Sequence, residues 1–354
     1  GCYPHVVSSA APGRFRAFFS SRTGIAFAVA GALLVATGVA VVLKGDEPAP
    51  PEAAPPATTT TTAPPSQPVA GVLLGASTSP DIRSLAAEKS AVEGLEQRLG
   101  RTLDIDHNFY GWDQAFPTET ERWDLQADRI PMISWNGKGV TTNSIAAGQY
   151  DDLIKQRARD TKALGKPVLI RWFWEMDGNK KADFAGAPAE YIAAWQHIVT
   201  TFRHEGADNV RWVWCPNASA FNNGLAQTFY PGDDFVDWTC ADGYNWAPGR
   251  AGDDYRSFKD IFGGFYLWAS VQKKPIMVGE FGVQERNPGD KAQWITDARD
   301  AIKNDFPLLR AVIYFNSNKD YDWRLTTSDS AVAAFRQMAN DPWFNLGVNR
   351  RFPL

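Results

Sequence analysis

The sequence predicts a (β/α)₈ barrel over residues 71–354. Eight short runs rich in β-branched and aromatic residues alternate there with longer amphipathic stretches, which is the pattern of this fold. The main alternative is an open, doubly wound sheet. That fold usually carries a GxGxxG turn after its first strand, and residues 71–80 contain none.

The first 70 residues have a different composition and are divided into three segments. Residues 1–23 carry Arg14, Arg16 and Arg22 and form a short segment predicted to be cytoplasmic. Residues 24–43 are an apolar run of about 20 residues, long enough to cross a bilayer as a helix. A cleaved signal peptide is the alternative, although its apolar core is usually only about 7 to 15 residues long. With an anchor, the barrel would face the outside of the cell; with cleavage it would be secreted.

Residues 44–70 are rich in Pro, Ala and Thr. This composition cannot bury enough apolar surface to fold, so we expect an extended linker between the apolar run and the barrel.

The elements of the barrel follow from local pattern. Strands are predicted at 71–77, 102–110, 130–135, 168–175, 210–214, 238–244, 276–281 and 311–316. The clearest amphipathic helices are predicted at 85–99, 150–164, 191–202, 292–302 and 331–338.

Composition limits the kinds of partner. The net charge of −4 argues against nucleic acid, because phosphate binding needs clustered Lys and Arg. Fourteen tryptophans favour a carbohydrate, whose rings present flat apolar faces. Three cysteines without a CxxC or Cys/His cluster predict no metal site, and no cofactor is expected. Cys215 and Cys240 either form a disulfide or remain two buried thiols.

Two glutamates stand where predicted strands meet loops. Glu175 ends the fourth strand and Glu280 ends the seventh. In this fold the active site lies at the carboxyl ends of the strands, so both side chains would face one pocket. Retaining glycoside hydrolysis uses such a pair, one as acid/base and one as nucleophile, about 5 to 5.5 Å apart. Alternation along the strand gives Arg171, Phe173 and Glu175 one direction. Arg171 would then pair with Glu280, or form a buried ion pair without a catalytic part.

These residues belong to longer motifs. RWFWEMDG at 171–178 and GEFG at 279–282, together with WCPN at 214–217, YPGDD at 230–234 and VDWTCADGYNW at 236–246, resemble glycoside hydrolase family 26. Its members are chiefly endo-β-mannanases, with some β-glucanases and xylan-active enzymes. The resemblance implies Glu175 as acid/base, Glu280 as nucleophile and Tyr244 as a hydrogen-bond partner of the nucleophile. It also suggests Trp246 as a stacking platform, and Trp135 with Asn136 as lining of the cleft.

Two positions depart from the family pattern. Trp174 stands where mannanases of the family usually carry His, and an indole cannot accept a hydrogen bond. The eighth strand lacks the Trp floor common among related barrels, so Phe315 would replace it or Trp323 would reach in from the next loop.

One further pair is a candidate for substrate contact. Asp106 and His107 end the second strand and are predicted to contact sugar rather than metal, since no third ligand has a suitable spacing; the alternative is a pair of solvent-exposed loop residues. The sequence thus predicts a monomeric, retaining endo-β-glycanase acting on β-mannan. The alternatives are a β-1,3/1,4-glucanase of the same fold and an inactive carbohydrate-binding protein.

Overall fold

The computed structural model describes residues 71–78, 84–178 and 182–347. Within these ranges eight strands, all parallel to their neighbours, form a closed barrel in which β1 pairs with both β2 and β8. The strands are β1 Leu73–Ser77, β2 Ile105–Tyr110, β3 Ile130–Trp135, β4 Val168–Trp172, β5 Val210–Trp214, β6 Trp238–Asn245, β7 Ile276–Val283 and β8 Leu309–Phe315. The predicted barrel is confirmed.

Helices follow the strands and cover the outside of the barrel. They are α1 Leu85–Leu99, α2 Glu119–Gln126, α3 Thr142–Ala146, α4 Asp151–Lys162, α5 Ala182–Ala185, α6 Pro188–His204, α7 Phe258–Ala269, α8 Asp290–Asn304 and α9 Asp329–Asn340. The five predicted helices are present. Sequence reasoning missed α2 and α7, although a capping box starts each of them, built by Thr118 with Glu121 and by Ser257 with Asp260.

The apolar core has two parts. Inside the barrel, side chains from every strand fill the interior, among them Leu73, Ile105, Met132, Leu169 and Met277. A larger core lies between the outer face of the strands and the helices. Alternation along each strand therefore assigns its side chains to one core or the other, and inward side chains near the carboxyl ends form the floor of the site.

The predicted segments 1–23, 24–43 and 44–70 lie outside the described residues. In the described part of the chain, no helix is both long enough and apolar enough to cross a membrane.

Candidate active site

The carboxyl end of β4 brings a charged side chain into the barrel. Leu169 and Arg171 point inward, as the alternation predicts, and Arg171 is completely buried. Its Nε donates to Ser134 Oγ on β3 at 2.7 Å. A neighbouring strand thus fixes the plane of the guanidinium below the mouth of the barrel.

Beyond Trp172 the chain leaves regular strand geometry. Phe173 and Glu175 have φ angles of 44° and 53°, in the left-handed region that non-glycine residues rarely occupy. Two backbone bonds hold this turn, from Phe173 N–H to the Trp135 carbonyl at 2.9 Å and from Glu175 N–H to the Cys215 carbonyl at 2.8 Å. Strain of this kind tends to cluster at functional sites. Consequently the shared direction predicted for Phe173 is wrong: its ring packs in the outer core, and Trp174 turns inward.

Glu280 on β7 is held by two side chains. Its Oε1 accepts a hydrogen bond from Arg171 Nη2, and its Oε2 accepts one from the Tyr244 hydroxyl on β6. The side chain is 4% exposed. Burial, followed by the negative charges of Glu280 and Glu175, raises the pKa of Tyr244 well above its usual value, so this phenol is a donor. The predicted contacts of Arg171 and Tyr244 with Glu280 are both confirmed.

Arg171 also pairs with a second carboxylate that the sequence analysis missed. Its Nη1 donates to both oxygens of Asp242 on β6, at 2.8 and 2.6 Å. Burial alone would lower the pKa of Arg171, but Asp242 and Glu280 raise it, so the group is a fixed cation. Arg171 thus contacts both the buried Asp242 and the Glu280 carboxylate, and its part in catalysis stays a prediction.

Glu175 lies in the same electrostatic environment. Glu175 is half-buried, and its charge acts on Arg171 and on Tyr244, the two groups that bind Glu280. The structure thus brings the strand-four and strand-seven glutamates around one arginine at the mouth of the barrel, as two facing carboxyl groups require.

His107 lies deeper than predicted. It is 1% exposed, with Nε2 at 2.6 Å from Ser134 Oγ and 3.3 Å from Arg171 Nη2. Because a guanidinium can only donate, Nε2 is the acceptor here. Burial and the charge of Arg171 lower the pKa of His107, so the ring is neutral. The prediction that Asp106 and His107 form a sugar-contacting pair is wrong, because they point to opposite faces of β2: His107 is enclosed beneath Arg171, and Asp106, the preceding residue, faces the outside of the barrel.

Two further lining predictions have different outcomes. The prediction that Trp135 lines the cleft is wrong, because its ring is fully buried in the outer core and stacks on Trp112, with ring centres 4.5 Å apart. Asn136 does follow β3 at the mouth of the barrel, where its side chain accepts from Lys138 N–H at 2.8 Å. Trp174 is inside, 8% exposed, with the Arg171 guanidinium 4.9 Å from its ring centre. It therefore lies directly beside the charged group that binds Glu280.

An aromatic cluster forms one wall of the site. Tyr244, Phe315 and Trp323 pack together, with Trp246 against them. Trp323 lies 4.8 Å from Tyr244 and 5.3 Å from Trp246, measured between ring centres. Phe315 and Trp323 were alternative replacements for the tryptophan that related barrels carry on the eighth strand. Both are present, and both pack on Tyr244, whose hydroxyl binds Glu280. Arg250 lies 4.0 Å from the ring centre of the half-buried Trp246.

Cys215 and Cys240 form a disulfide inside the barrel. It joins the end of β5 to β6, beside Arg171, and a side chain at Gly279 would collide with both sulfurs. Among the described residues these cysteines and Asp242 are one group close enough to bind a metal. The sulfurs are bonded to each other and Asp242 is paired with Arg171, so the three side chains are engaged with protein groups and not with a metal.

Sequence comparison identifies the family. Residues 122–278 match Glycosyl hydrolase family 26, a segment that includes Glu175 and ends two residues before Glu280. The barrel belongs to glycosyl hydrolase family 26. The resemblance drawn from the motifs is thereby confirmed.

Relatives within and around this family differ in their named substrates. The chain is 36% identical over 259 residues to endoglucanase H of Acetivibrio thermocellus, a match of 70% of this chain and 29% of that protein. It is 25% identical over 228 residues to β-1,3-xylanase TXYA of a Vibrio species, covering 55% of this chain and 44% of that protein. The chain therefore spans less than half the length of these curated relatives.

Solved structures share the fold. A family 26 β-mannanase from Bacteroides ovatus superposes with a TM-score of 0.59 at 14% identity, over 80% of this chain and 92% of that one. At this identity the likeness concerns the barrel itself.

Proposed function

We propose that the protein is a retaining endo-β-glycanase with Glu280 as nucleophile and Glu175 as general acid/base. The observation that carries the proposal is the unequal setting of the two glutamates around Arg171. Glu280 is buried and bound by Arg171 and Tyr244, as suits the anion that attacks. Glu175 is only half-buried, on a strained turn after β4, where it can reach a leaving oxygen.

The reaction then has two displacements. A Glu280 oxygen bonds to the anomeric carbon while the glycosidic C–O bond breaks, and the proton of Glu175 goes to the leaving oxygen. In the second step Glu175 takes a proton from water, whose oxygen bonds to the anomeric carbon and releases Glu280. Arg171 and Tyr244 hold Glu280 in place throughout, and they bind it again as a carboxylate when the ester breaks.

Two observations favour a β-glucan over β-mannan as substrate. Trp174 replaces the histidine usual in family mannanases, which removes an acceptor beside the acid/base. The 36% identical relative is named an endoglucanase. Mannan remains the second candidate, since the B. ovatus neighbour is a β-mannanase and the family is rich in such enzymes. The hydroxyl orientation at carbon 2 distinguishes the two sugars.

A polysaccharide panel tests substrate and mode of action together. We expect reducing ends to be released from mixed-linkage β-1,3/1,4-glucan or β-1,4-glucan faster than from β-mannan or β-1,3-xylan. Early products of mixed chain length indicate endo action. NMR of the first product should show a retained anomeric configuration, as attack by a nearby carboxylate requires. Inversion, or binding across the panel without release, would reject this mechanism; the second result would indicate a binding protein.

The two glutamate roles are tested by substitution. Glu280→Ala and Glu175→Gln should each lower kcat at least about 10³-fold, while leaving thermal unfolding near that of the parent. Glu285→Gln is a matched control from the loop after β7, where Glu285 accepts from Lys291 N–H and Ser328 Oγ. It should retain activity. Near-parental turnover by Glu280→Ala would refute its assignment as nucleophile.

Location and assembly complete the proposal. The membrane anchor at 24–43, the outward orientation and the monomeric state stay predictions from the sequence. Fractionation with alkaline extraction of membranes tests the anchor, and light scattering of the purified protein tests the assembly.

A further inference from the structure

One of the two backbone bonds that hold the turn of Glu175 comes from the end of β5. The turn is strained, because Phe173 and Glu175 both have positive φ angles. Such a backbone persists only where the surrounding structure holds it. Glu175 N–H donates to the Cys215 carbonyl at 2.8 Å, so the position of the acid/base depends on where Cys215 lies.

Regular pairing between β5 and β6 ends just before this residue. The last pair of the ladder is Trp214 with Thr239. The next residues along the two strands are Cys215 and Cys240, and these are joined by the disulfide. The disulfide is thus a covalent link between the strand whose carbonyl holds the turn and the strand that carries Asp242.

The sulfurs lie among the charged groups of the site. Cys215 Sγ is 3.2 Å from Asp242 Oδ1 and 3.6 Å from Arg171 Nη1. A Cβ atom at Gly279 would come within 2.5 Å of Cys240 Sγ and 2.9 Å of Cys215 Sγ, so the disulfide also packs directly on β7. Two thiols cannot approach as closely as two bonded sulfurs, because nonbonded atoms stay about 3.5 Å or more apart. Breaking the bond in this packing would therefore displace the ends of β5 and β6 by on the order of 1 Å.

We infer that the disulfide is a positioning element of the acid/base: it fixes the Cys215 carbonyl, and with it the turn of Glu175, at the mouth of the barrel. This inference rests on the proposed function, because it presupposes that Glu175 protonates the leaving oxygen. A misplacement of about 1 Å can cost about 10²-fold in rate. The disulfide therefore serves the chemical step and not stability alone.

The leaving group separates a displaced acid/base from a general loss of structure. Cleavage of the polysaccharide needs a proton on the leaving oxygen, whereas dinitrophenolate leaves from a 2,4-dinitrophenyl oligosaccharide of the same sugar without one. In the variant Cys215→Ala/Cys240→Ala, kcat/KM should fall by about 10- to 100-fold on the polysaccharide and by less than about threefold on the dinitrophenyl substrate. Glu175→Gln gives the reference for complete loss of the acid, with the same pattern on a larger scale.

The parent protein supplies a second measurement in which only the bond between the sulfurs changes, and it serves where the alanine variant does not fold. Refolding from denaturant under a reductant leaves two thiols. Refolding with glutathione disulfide forms the S–S bond, as the two thiols pass two electrons and two protons to the oxidant and two glutathione molecules are released. The reduced protein should show the selective loss on the polysaccharide, and the oxidised protein should not. Thiol titration after denaturation should find Cys2 alone in the oxidised protein and all three cysteines in the reduced one.

Val213→Ala is the matched control, since Val213 fills the barrel interior on β5 two residues before Cys215. It should lower the unfolding temperature but leave kcat/KM on both substrates within about twofold. The inference is overturned if the double variant loses the same factor on both substrates or keeps the parental rate on the polysaccharide. It is also overturned if Val213→Ala shows the same selective loss, or if the native parent contains three thiols. Failure of the proposed function shows differently, as substantial activity of Glu175→Gln on the polysaccharide.

Discussion

Two buried charge networks lie on opposite faces of β2. The inner network consists of Arg171, His107, Asp242, Tyr244 and Glu280 inside the barrel. The outer network consists of Asp106, Asp124, Arg129, Glu96 and Glu121, between β2, β3 and the helices α1 and α2. His107 and Asp106 are adjacent on β2: His107 belongs to the inner network and Asp106 to the outer network.

The two networks balance their charges differently. Inside, the guanidinium of Arg171 faces two carboxylates, and the remaining titratable members are the neutral His107 and the phenol of Tyr244. Outside, Arg129 pairs with Glu96 at 2.7 Å and Asp124 at 3.4 Å, while further acids lie close by. Burial raises the pKa of Asp106 to about 7, and burial with the charge of Asp106 raises that of Asp124 to about 10.

The contrast shows what distinguishes a functional from a structural buried charge. Both networks are almost fully enclosed, and both contain an arginine with more than one acid. Only the inner network reaches the mouth of the barrel, through Glu280, whose carboxylate is bound by Arg171 and Tyr244. In the outer network Arg129 and Glu96 form an ion pair, whereas burial raises the pKa of Asp106 and Asp124. Burial by itself therefore identifies neither role.

The largest expected effect comes from removing each arginine in turn. Arg171→Met leaves Glu280 and Asp242 buried without their cation, which should cost about 3 to 5 kcal/mol of stability. It should also lower kcat by about 10² to 10³-fold, because the nucleophile loses its partner. Arg129→Met should be similarly destabilising, yet the folded protein should keep kcat within about twofold. Urea unfolding and kcat measured on both variants check this.

The comparison would fail if both variants lost kcat equally in the folded state. The outer network would then contribute to catalysis, and the separation by β2 would have no functional meaning. Equal kcat in both variants, close to that of the parent, would instead remove Arg171 from the mechanism.

Regular strands made much of this arrangement predictable. Alternation placed Arg171 inward below the catalytic level, and the fold placed Glu175 and Glu280 at one end of the barrel. The wrong prediction for Trp135 shows that alternation alone does not say which residues of a strand face inward. β3 pairs Ser134 with Arg171, so Ser134 faces inward and Trp135 must face outward. Register between strands is set by long-range pairing, which one strand's sequence does not contain.

Irregular backbone accounts for the remaining misses. The positive φ angles of Phe173 and Glu175 interrupt the alternation, and bonds from β3 and β5 segments hold them there. Asp242 sits at a register shift between β6 and β7, which brings it opposite Glu280. The residue types at positions 173, 175 and 242 do not predict these local conformations, because contacts with neighbouring strands impose them.

A smaller effect is expected from the hydroxyl that links the inner network to the aromatic wall. Tyr244→Phe removes the hydrogen bond to Glu280 but keeps the ring against Trp323. Bonds to charged groups contribute about 1.5 to 3 kcal/mol, so kcat/KM should fall by about 10- to 100-fold. Tyr314→Phe is the control, since that hydroxyl donates to the Trp323 carbonyl at 2.7 Å. If both variants lose the same activity, Tyr244 acts through packing only.

The smallest expected effect concerns the protons of the outer network. The raised pKa values of Asp106 and Asp124 mean that the folded protein binds protons that the unfolded chain, with Asp near 3.9, releases. Their contribution to stability is fully present below about pH 4 and is lost as pH rises through about 7 and towards 10. Stability should therefore fall between pH 5 and 9.

Asp124→Asn imitates the protonated acid and should flatten this decline, raising the unfolding midpoint at pH 9 by about a few degrees. At about pH 3.5, below the pKa of Asp in the unfolded chain, the folded and unfolded parent both hold the proton, so the two proteins should unfold at nearly the same temperature. Asp297→Asn, on the solvent-facing side of α8, supplies the same chemical change without burial and should leave the slope unaltered. A parental slope in Asp124→Asn would mean that the outer acids are charged after all. The two networks would then differ in location alone and not in how they tolerate burial.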